Sequence, residues 1–280
     1  MHAVSHERTR KDKLIIVSQN VRNLTSIKLA KLVQLALEGK AYAFLLQETW
    51  IITPTGCEVQ ELCDGKVLLI LAGLKRKVCN RGSQGVGILL SPQAVKDWKD
   101  ASSKISSHSP RHISLDTRIQ GTKTRLATAW APTSGAKTWE RQDFYHESLD
   151  SCLGCDRNLN IIGIDSNASV GRASASPARF SEGKHRKFFR PVGHRGFGRA
   201  NKAGTEFREW LTTRLMRATS TFFKQRKGHK GTWMHPHTRS MHQIDHIRTN
   251  ALTFSYVTHC GIAPNFLHVE SDHRAVQVVL

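Results

Sequence analysis

His268-Val269-Glu270-Ser271-Asp272-His273-Arg274-Ala275-Val276 is the stretch from which the rest of the chain is read. Apolar residues alternate from Ala275 through Val278 to Leu280, the pattern of a terminal strand. A carboxylate and an imidazole therefore stand side by side where a loop enters that strand. Asp offers hard oxygen atoms to a divalent cation, and His exchanges a proton near neutral pH. An Asp-His pair alone is commonplace. Here four other polar clusters precede it, each at the end of an apolar, strand-like run: Gln19-Asn20-Val21-Arg22, Gln47-Glu48-Thr49-Trp50, Gly163-Ile164-Asp165-Ser166-Asn167 and Gln243-Ile244-Asp245-His246.

Leu14 to Val17 fits a doubly buried strand that delivers Asn20. Thr25 can cap a helix with an apolar face of Leu29, Leu32, Val33, Ala36 and Leu37, which Gly39 stops. Tyr42 to Leu46 is a second buried strand ending at Glu48, so the polar ends of this βα unit share one sheet edge. Further strands are expected at Val86–Leu90, His112–Ile119, Arg125–Trp130 and Leu159–Ile164. A helix is expected over Thr138–Leu153 and another around Phe207, Trp210, Leu211 and Leu215. Short strand signals follow at Ala218–Phe223, His242–Arg248, Leu252–Thr258 and Ala275–Leu280. No internal repeat or linker divides the chain, so a basic arm (residues 1–12) and one domain (13–280) are expected.

The 280 residues carry 42 Lys+Arg against 22 Asp+Glu, a net +20 spread along the chain. Such a balance favours a polyanionic partner. No apolar run approaches the roughly 20 residues that span a bilayer. The charged start, His2 to Lys13, lacks the hydrophobic segment of a secretory leader, so a nuclear or cytoplasmic monomer, away from membranes, is expected. The scattered cysteines, with a lone C-x-x-C at Cys152 and Cys155, read as free thiols. Arg172 to Arg199 holds eight Lys or Arg among Gly, Ser and Pro and reads as a long basic loop.

Hard oxygen donors, an amide and an imidazole at several strand ends suit metal-assisted phosphoester hydrolysis. In order and context, Ser18-Gln19-Asn20-Val21-Arg22, Leu46-Gln47-Glu48-Thr49-Trp50, Gly85-Val86-Gly87-Ile88-Leu89, Trp130-Ala131-Pro132-Thr133, Gly163-Ile164-Asp165-Ser166-Asn167-Ala168, Gly231-Thr232-Trp233-Met234-His235-Pro236, Gln243-Ile244-Asp245-His246-Ile247 and Ser271-Asp272-His273 resemble the endonuclease/exonuclease/phosphatase superfamily. The likeness is nearest to the endonuclease domains of non-LTR (LINE-type) retrotransposons and to craniofacial development protein 2-like proteins, and it covers residues 13–280.

The resemblance implies a four-layer α/β sandwich, deoxyribonuclease I-like, with two packed mixed sheets flanked by helices. It implies a Mg²⁺ (or Mn²⁺) site at Glu48, with Asn20 and Asp272 beside it. Asp165 would activate water and Asn167 would orient water or phosphate, while His273, held by Asp245, would contact the scissile phosphate. The implied activity is DNA nicking that leaves 3′-hydroxyl ends, with a reverse transcriptase as a conceivable fused domain. DNA contacts are expected from Lys184, Arg186, Lys187, Arg190, Arg199, Thr232 and Trp233. Trp130 stands where the superfamily usually has Tyr; its N–H can donate to a phosphate, but it cannot supply a phenolate. A binding protein that keeps the fold with weakened turnover, and a phosphatase of small substrates, are the alternatives. His235, His237, His242 and His246 are a second, weaker cation candidate.

Overall fold

The computed structural model describes residues 13–75, 84–155, 157–173, 189–226, 228 and 230–280. In chain order the strands are β1 (Ile15–Asn20), β2 (Ala43–Gln47), β3 (Cys57–Leu62), β4 (Val67–Ala72), β5 (Val86–Leu90), β6 (Lys104–Ser109), β7 (His112–Ile119), β8 (Thr122–Trp130), β9 (Leu159–Asp165), β10 (Met216–Ala218), β11 (Trp233–Met234), β12 (Met241–His242), β13 (Asp245–Asn250), β14 (His259–Ile262) and β15 (Val276–Val279). The helices are α1 (Ser26–Leu37), α2 (Pro92–Asp100), α3 (Thr138–Asp143), α4 (Lys202–Thr213) and α5 (Ala251–Tyr256).

Two mixed sheets pack face to face. The first runs β14-β15-β1-β2-β5-β4-β3 and the second β10-β13-β9-β8-β7-β6. Each has one parallel pair near its centre, β1/β2 in the first and β8/β9 in the second, within otherwise antiparallel pairing. The central strands read as continuous apolar runs because both faces are covered, as in Val67–Ala72, where all six residues are buried. Ile16, Leu45, Ile70 and Ile88 of the first sheet meet Ile113, Leu126, Ile161 and Ile247 of the second. Close approach is needed where the sheets cross: a Cβ at Gly163 would lie 2.4 Å from Ser18 Oγ and 2.9 Å from Leu45 Cβ. Beside it the Gln47 amide donates to Ser18 Oγ (3.0 Å) and Thr128 Oγ1 (2.8 Å), tying the sheets together.

Helix α1 covers the outer face of the first sheet. Thr25 caps it by accepting the Lys28 N–H, and Gly39, at φ +66°, turns the chain back. Its buried side chains are Leu32, Leu35 and Ala36, whereas Leu37, expected on the apolar face, is 44% exposed. On the second sheet, α3 and α4 cover a core containing Tyr145, Phe207 and Trp210. That core encloses Arg248, fully buried, whose guanidinium carbon lies 4.6 Å from the centre of the Trp210 ring and 5.3 Å from that of Phe207.

Four expectations are corrected. Leu252–Thr258 is mostly helix, not strand, because the Asn250 side chain caps α5 by accepting the Thr253 N–H at 3.0 Å. Ala218–Phe223 is the end of β10 followed by a 3₁₀ turn. Thr138–Leu153 is not one α-helix: α3 passes after Asp143 into a π-helical turn over Phe144–Leu149. Leu215, at φ +52°, lies beyond the end of α4. The expected basic arm lies outside the described residues.

Candidate active site

The site forms where the central strands of both sheets end. Asn20 and Gln47 are paired in β1 and β2, so Glu48 emerges beside Asn20. Glu48 has a left-handed backbone at φ +50°, as do Trp50 (+56°) and Arg22 (+41°), conformations that non-glycine residues hold only when their surroundings compensate. The Asn20 amide nitrogen donates to Glu48 Oε1 (2.7 Å) and to Asp165 Oδ2 (2.9 Å), while its oxygen accepts the Arg22 N–H at 3.0 Å. Two carboxylates on one side and a backbone donor on the other leave a single sensible orientation for that amide. Asn20 thus joins the two sheets across the site. Trp50 Nε1 steadies the other Glu48 oxygen at 3.2 Å.

The tail enters through main-chain bonds. Gln19 donates to the carbonyls of Val269 (2.9 Å) and His273 (3.0 Å) and accepts from Val269 N–H at 3.0 Å. Ser271 Oγ donates to Asn20 O at 2.8 Å and accepts from His273 N–H at 3.1 Å. These bonds carry His273 to Asp245, which β13 places directly opposite Asp165 of β9. His273 Nδ1 lies 3.1 and 3.0 Å from the two Asp245 oxygens. Oxygens of Asp165 and Asp245 and a ring nitrogen of His273 lie within 4.8 Å of one another, and all three residues are buried.

The electrostatics follow from that burial. Desolvation, then the Asp245 charge, push the Asp165 carboxyl up to about 7, against the opposing pull of His273 and of the hydrogen bonds from Asn167 and Asn20. Burial alone would lower His273, but the charge and hydrogen bond of Asp245, with Asp165 and Asp272, outweigh it and hold the imidazole up to about 9. Near neutral pH His273 is a cation held by Asp245, with Nε2 left for another partner. Asp165 is poised to take up or release a proton.

The remaining expected residues fall into different places. Asn167, at φ +47°, donates its N–H to Asp165 Oδ1 and its amide to Ala131 O, both at 2.9 Å. Asp272 Oδ2 accepts from Arg22 Nη1 (2.7 Å) and from Trp233 Nε1 (3.3 Å) at the solvent-facing rim. Trp233 is half-buried there, bridged to His273, with ring centres 6.2 Å apart. Thr232 is not a surface contact. It is buried, and its hydroxyl accepts the Ile244 and Asp245 N–H groups at 3.0 and 3.1 Å, so it positions Asp245. Strand alternation sends His246 to the opposite face, against Phe207, away from His235 and His242. Arg190 and Arg199 are exposed. Lys184, Arg186 and Lys187 lie outside the described residues.

Trp130 is opposite Asp165 in the parallel β8/β9 pair. Its indole N–H is sealed from solvent and has no hydrogen-bond partner among the described residues, so it is not available to a phosphate. Arg111, to which no role attaches in the sequence, stacks its guanidinium 4.5 Å from the ring centre. Trp50 and Gln19 likewise have no role legible in the sequence beyond their neighbourhood to Glu48 and Asn20.

No protein-family model matches the sequence, and no curated protein matches it. Solved structures do. The endonuclease domain of TRAS1, a telomere-specific non-LTR retrotransposon, superposes with a TM-score of 0.56 at 12% identity, covering 95% of this chain and 97% of that one. The AP endonuclease LMAP from Leishmania major gives 0.60 at 12% identity, covering 96% and 87%. The 3′-5′ exonuclease NExo from Neisseria meningitidis gives 0.59 at 15% identity, covering 95% and 98%. The chain has the deoxyribonuclease I-like endonuclease/exonuclease/phosphatase fold. The four-layer α/β sandwich expected from the resemblance is therefore the observed architecture, and the structural neighbours include an endonuclease domain of the retrotransposon class that its motifs resemble.

Proposed function

We propose that this chain is a metal-dependent endonuclease that hydrolyses DNA phosphodiesters, a retroelement-derived nickase leaving 3′-hydroxyl ends. The observation that carries the reading is the Asn20 amide bridging Glu48 and Asp165, next to the buried Asp245–His273 pair. Hard oxygen donors of this kind suit Mg²⁺ or Mn²⁺. Glu48 would hold the cation with Asn20 at its edge; when bound, it would neutralise charge developing on a phosphate oxygen.

The chain's own residues supply the rest. Asp165 accepts the proton of the attacking water as the water oxygen bonds to phosphorus and the P–O3′ bond breaks, and the departing O3′ takes a proton from solvent to become the 3′-hydroxyl. His273 Nε2 donates to a non-bridging phosphate oxygen, and Asp245 keeps the imidazole charged and oriented. Asn167 holds the water or phosphate beside Asp165. Trp233 and the exposed Arg190 and Arg199 would meet the duplex, with Lys184, Arg186 and Lys187 extending that path. Nicking of supercoiled plasmid in Mg²⁺, abolished in Glu48→Gln, with nicks that a polymerase extends, is the expected result. Plasmid left intact by the wild type would overturn the nuclease reading.

The second reading is a nucleic-acid-binding protein with the fold and little turnover. The sealed Trp130 N–H favours it, because the side chain that replaces Tyr offers no donor to the phosphate. The same plasmid experiment, run beside a DNA-binding measurement, separates the two.

A further inference from the structure

The sealed indole leaves the Trp130 side of the site without a donor to phosphate, and one neighbouring side chain is placed to supply it. Arg111 sits in the turn between β6 and β7, and that turn is bonded to both halves of the site. Thr49 N–H donates to Gly85 O (2.9 Å), and Gly85 N–H donates to Pro110 O at 3.1 Å. On the other side, the backbone N–H of Trp130 donates to Arg111 O at 2.8 Å, and Trp130 pairs with Asp165. Arg111 is therefore suspended between the strand end that delivers Glu48 and the one that delivers Asp165.

Its guanidinium carbon lies over the Trp130 ring, 4.5 Å from the ring centre, and among the described residues the group makes only a 3.4 Å contact with Trp130 O. Among the described residues it has no carboxylate within ion-pair distance, unlike Arg22, Arg125, Arg141 and Arg214. Burial disfavours its charge, and Glu140 only partly restores it. A half-buried guanidinium with donors to spare is held ready for an anion. An aromatic face that fixes the fork without using its N–H groups is what pre-organises it.

We propose that Arg111 is the phosphate-contacting cation on the Trp130 side of this site, with Trp130 as its platform. The inference rests on the phosphodiesterase reading. Arg111 keeps its proton and donates to a non-bridging phosphate oxygen, as charge accumulates there, in the place where a Tyr hydroxyl would otherwise donate. The competing role is structural, in which Arg111 merely steadies α3 through Glu140.

The test measures single-turnover nicking of plasmid in Mg²⁺ and duplex-DNA affinity in Ca²⁺ across a salt series, with melting temperature as the folding control. Arg111→Ala should lose roughly 10²-fold in rate at unchanged melting temperature. Arg111→Lys should recover part of that loss, since it keeps the charge without the fork. Trp130→Phe should lose far less than Trp130→Ala, because the ring matters and the N–H does not. Losing one phosphate contact should flatten the salt slope of binding by about one unit. Arg111→Ala nicking within threefold of a wild type whose Glu48→Gln variant is inactive would overturn the proposal and leave the nuclease reading standing. If the wild type itself does not nick, that reading fails and the binding arm decides: an unchanged affinity and salt slope in Arg111→Ala would then overturn the phosphate contact too.

Discussion

Asp245 and Asp272 are both carboxylates beside His273, and they live in different media. Asp245 is fully buried, donates its backbone N–H to the Thr232 hydroxyl at 3.1 Å, and spends its charge on the His273 ring. Asp272, with about a third of its side chain exposed, spends its charge on Arg22 and Trp233 at the rim. The same functional group perturbs a neighbour strongly in the first case and weakly in the second, because the local dielectric, not the residue type, sets the coupling. A carboxylate quartet of Glu48, Asp165, Asp245 and Asp272 is thus a dry floor and a wet rim, with Glu48 on the boundary.

The largest expected effect is at that boundary and floor. Glu48→Gln and Asp165→Asn each remove a charge at nearly constant volume, and each should cost nicking by about 10²–10⁴-fold. Either variant nicking at wild-type rate across a Mg²⁺ series would remove that residue from the site.

If the floor acts as one unit, Asp245→Asn and His273→Ala should each be severely impaired and the double variant little worse than the poorer single. Multiplicative losses would break the pair. The rim gives the contrast: Trp233→Ala combined with His273→Ala should be close to multiplicative, since the two rings touch without sharing a proton.

The floor also dictates a pH dependence of stability in metal-free protein. Asp165 is raised from 3.8 to about 7, so its contribution is complete below about pH 4 and is lost as pH rises through 7. His273 is raised from 6.5 to about 9, so its contribution is present below pH 6.5 and is lost as pH rises through 9. The floor's contribution should therefore decline from pH 4 to pH 9, while His112 and His246, which burial lowers to about 4, add an opposing rise between about pH 4 and 6.5. The lower limb should vanish in Asp165→Asn and the upper in His273→Ala, as read by melting temperature in chelator. Wild-type and variant profiles of the same shape would mean the floor is hydrated.

The strand-end residues are legible in the sequence and the contacts between distant segments are not, for a physical reason. Asn20, Glu48, Asp165 and Asp245 end apolar runs, and a strand end buried between sheets has few directions to point. Thr232 shows where that logic stops: nothing local distinguishes a hydroxyl that meets DNA from one that caps two backbone N–H groups of a neighbouring strand. Arg111 was illegible because its significance depends on Gly85, Trp130 and Thr49, far away in sequence. Leu252–Thr258 alternates like a strand, and one side-chain cap from Asn250 overrides the pattern. The pair β3 and β4 has no comparable signal: Val67–Ala72 is wholly apolar, but no polar cluster stands at its end.

The smallest expected effect concerns Asp272, which the resemblance makes a metal ligand. Its Oδ2 is already committed to Arg22 and Trp233, and an exposed ion pair of this kind is worth about 0–1 kcal/mol. If Asp272 belongs to the rim, Asp272→Asn and Arg22→Ala should weaken nicking alike, by a few-fold, and the Mg²⁺ concentration for half-maximal rate should not move in either. Raised salt should shrink both effects, because screening acts on the exposed pair and spares the buried one. If Asp272→Asn alone shifts the Mg²⁺ requirement upward, the carboxylate reaches the cation through its other oxygen. The boundary between floor and rim would then run through Asp272 rather than Glu48.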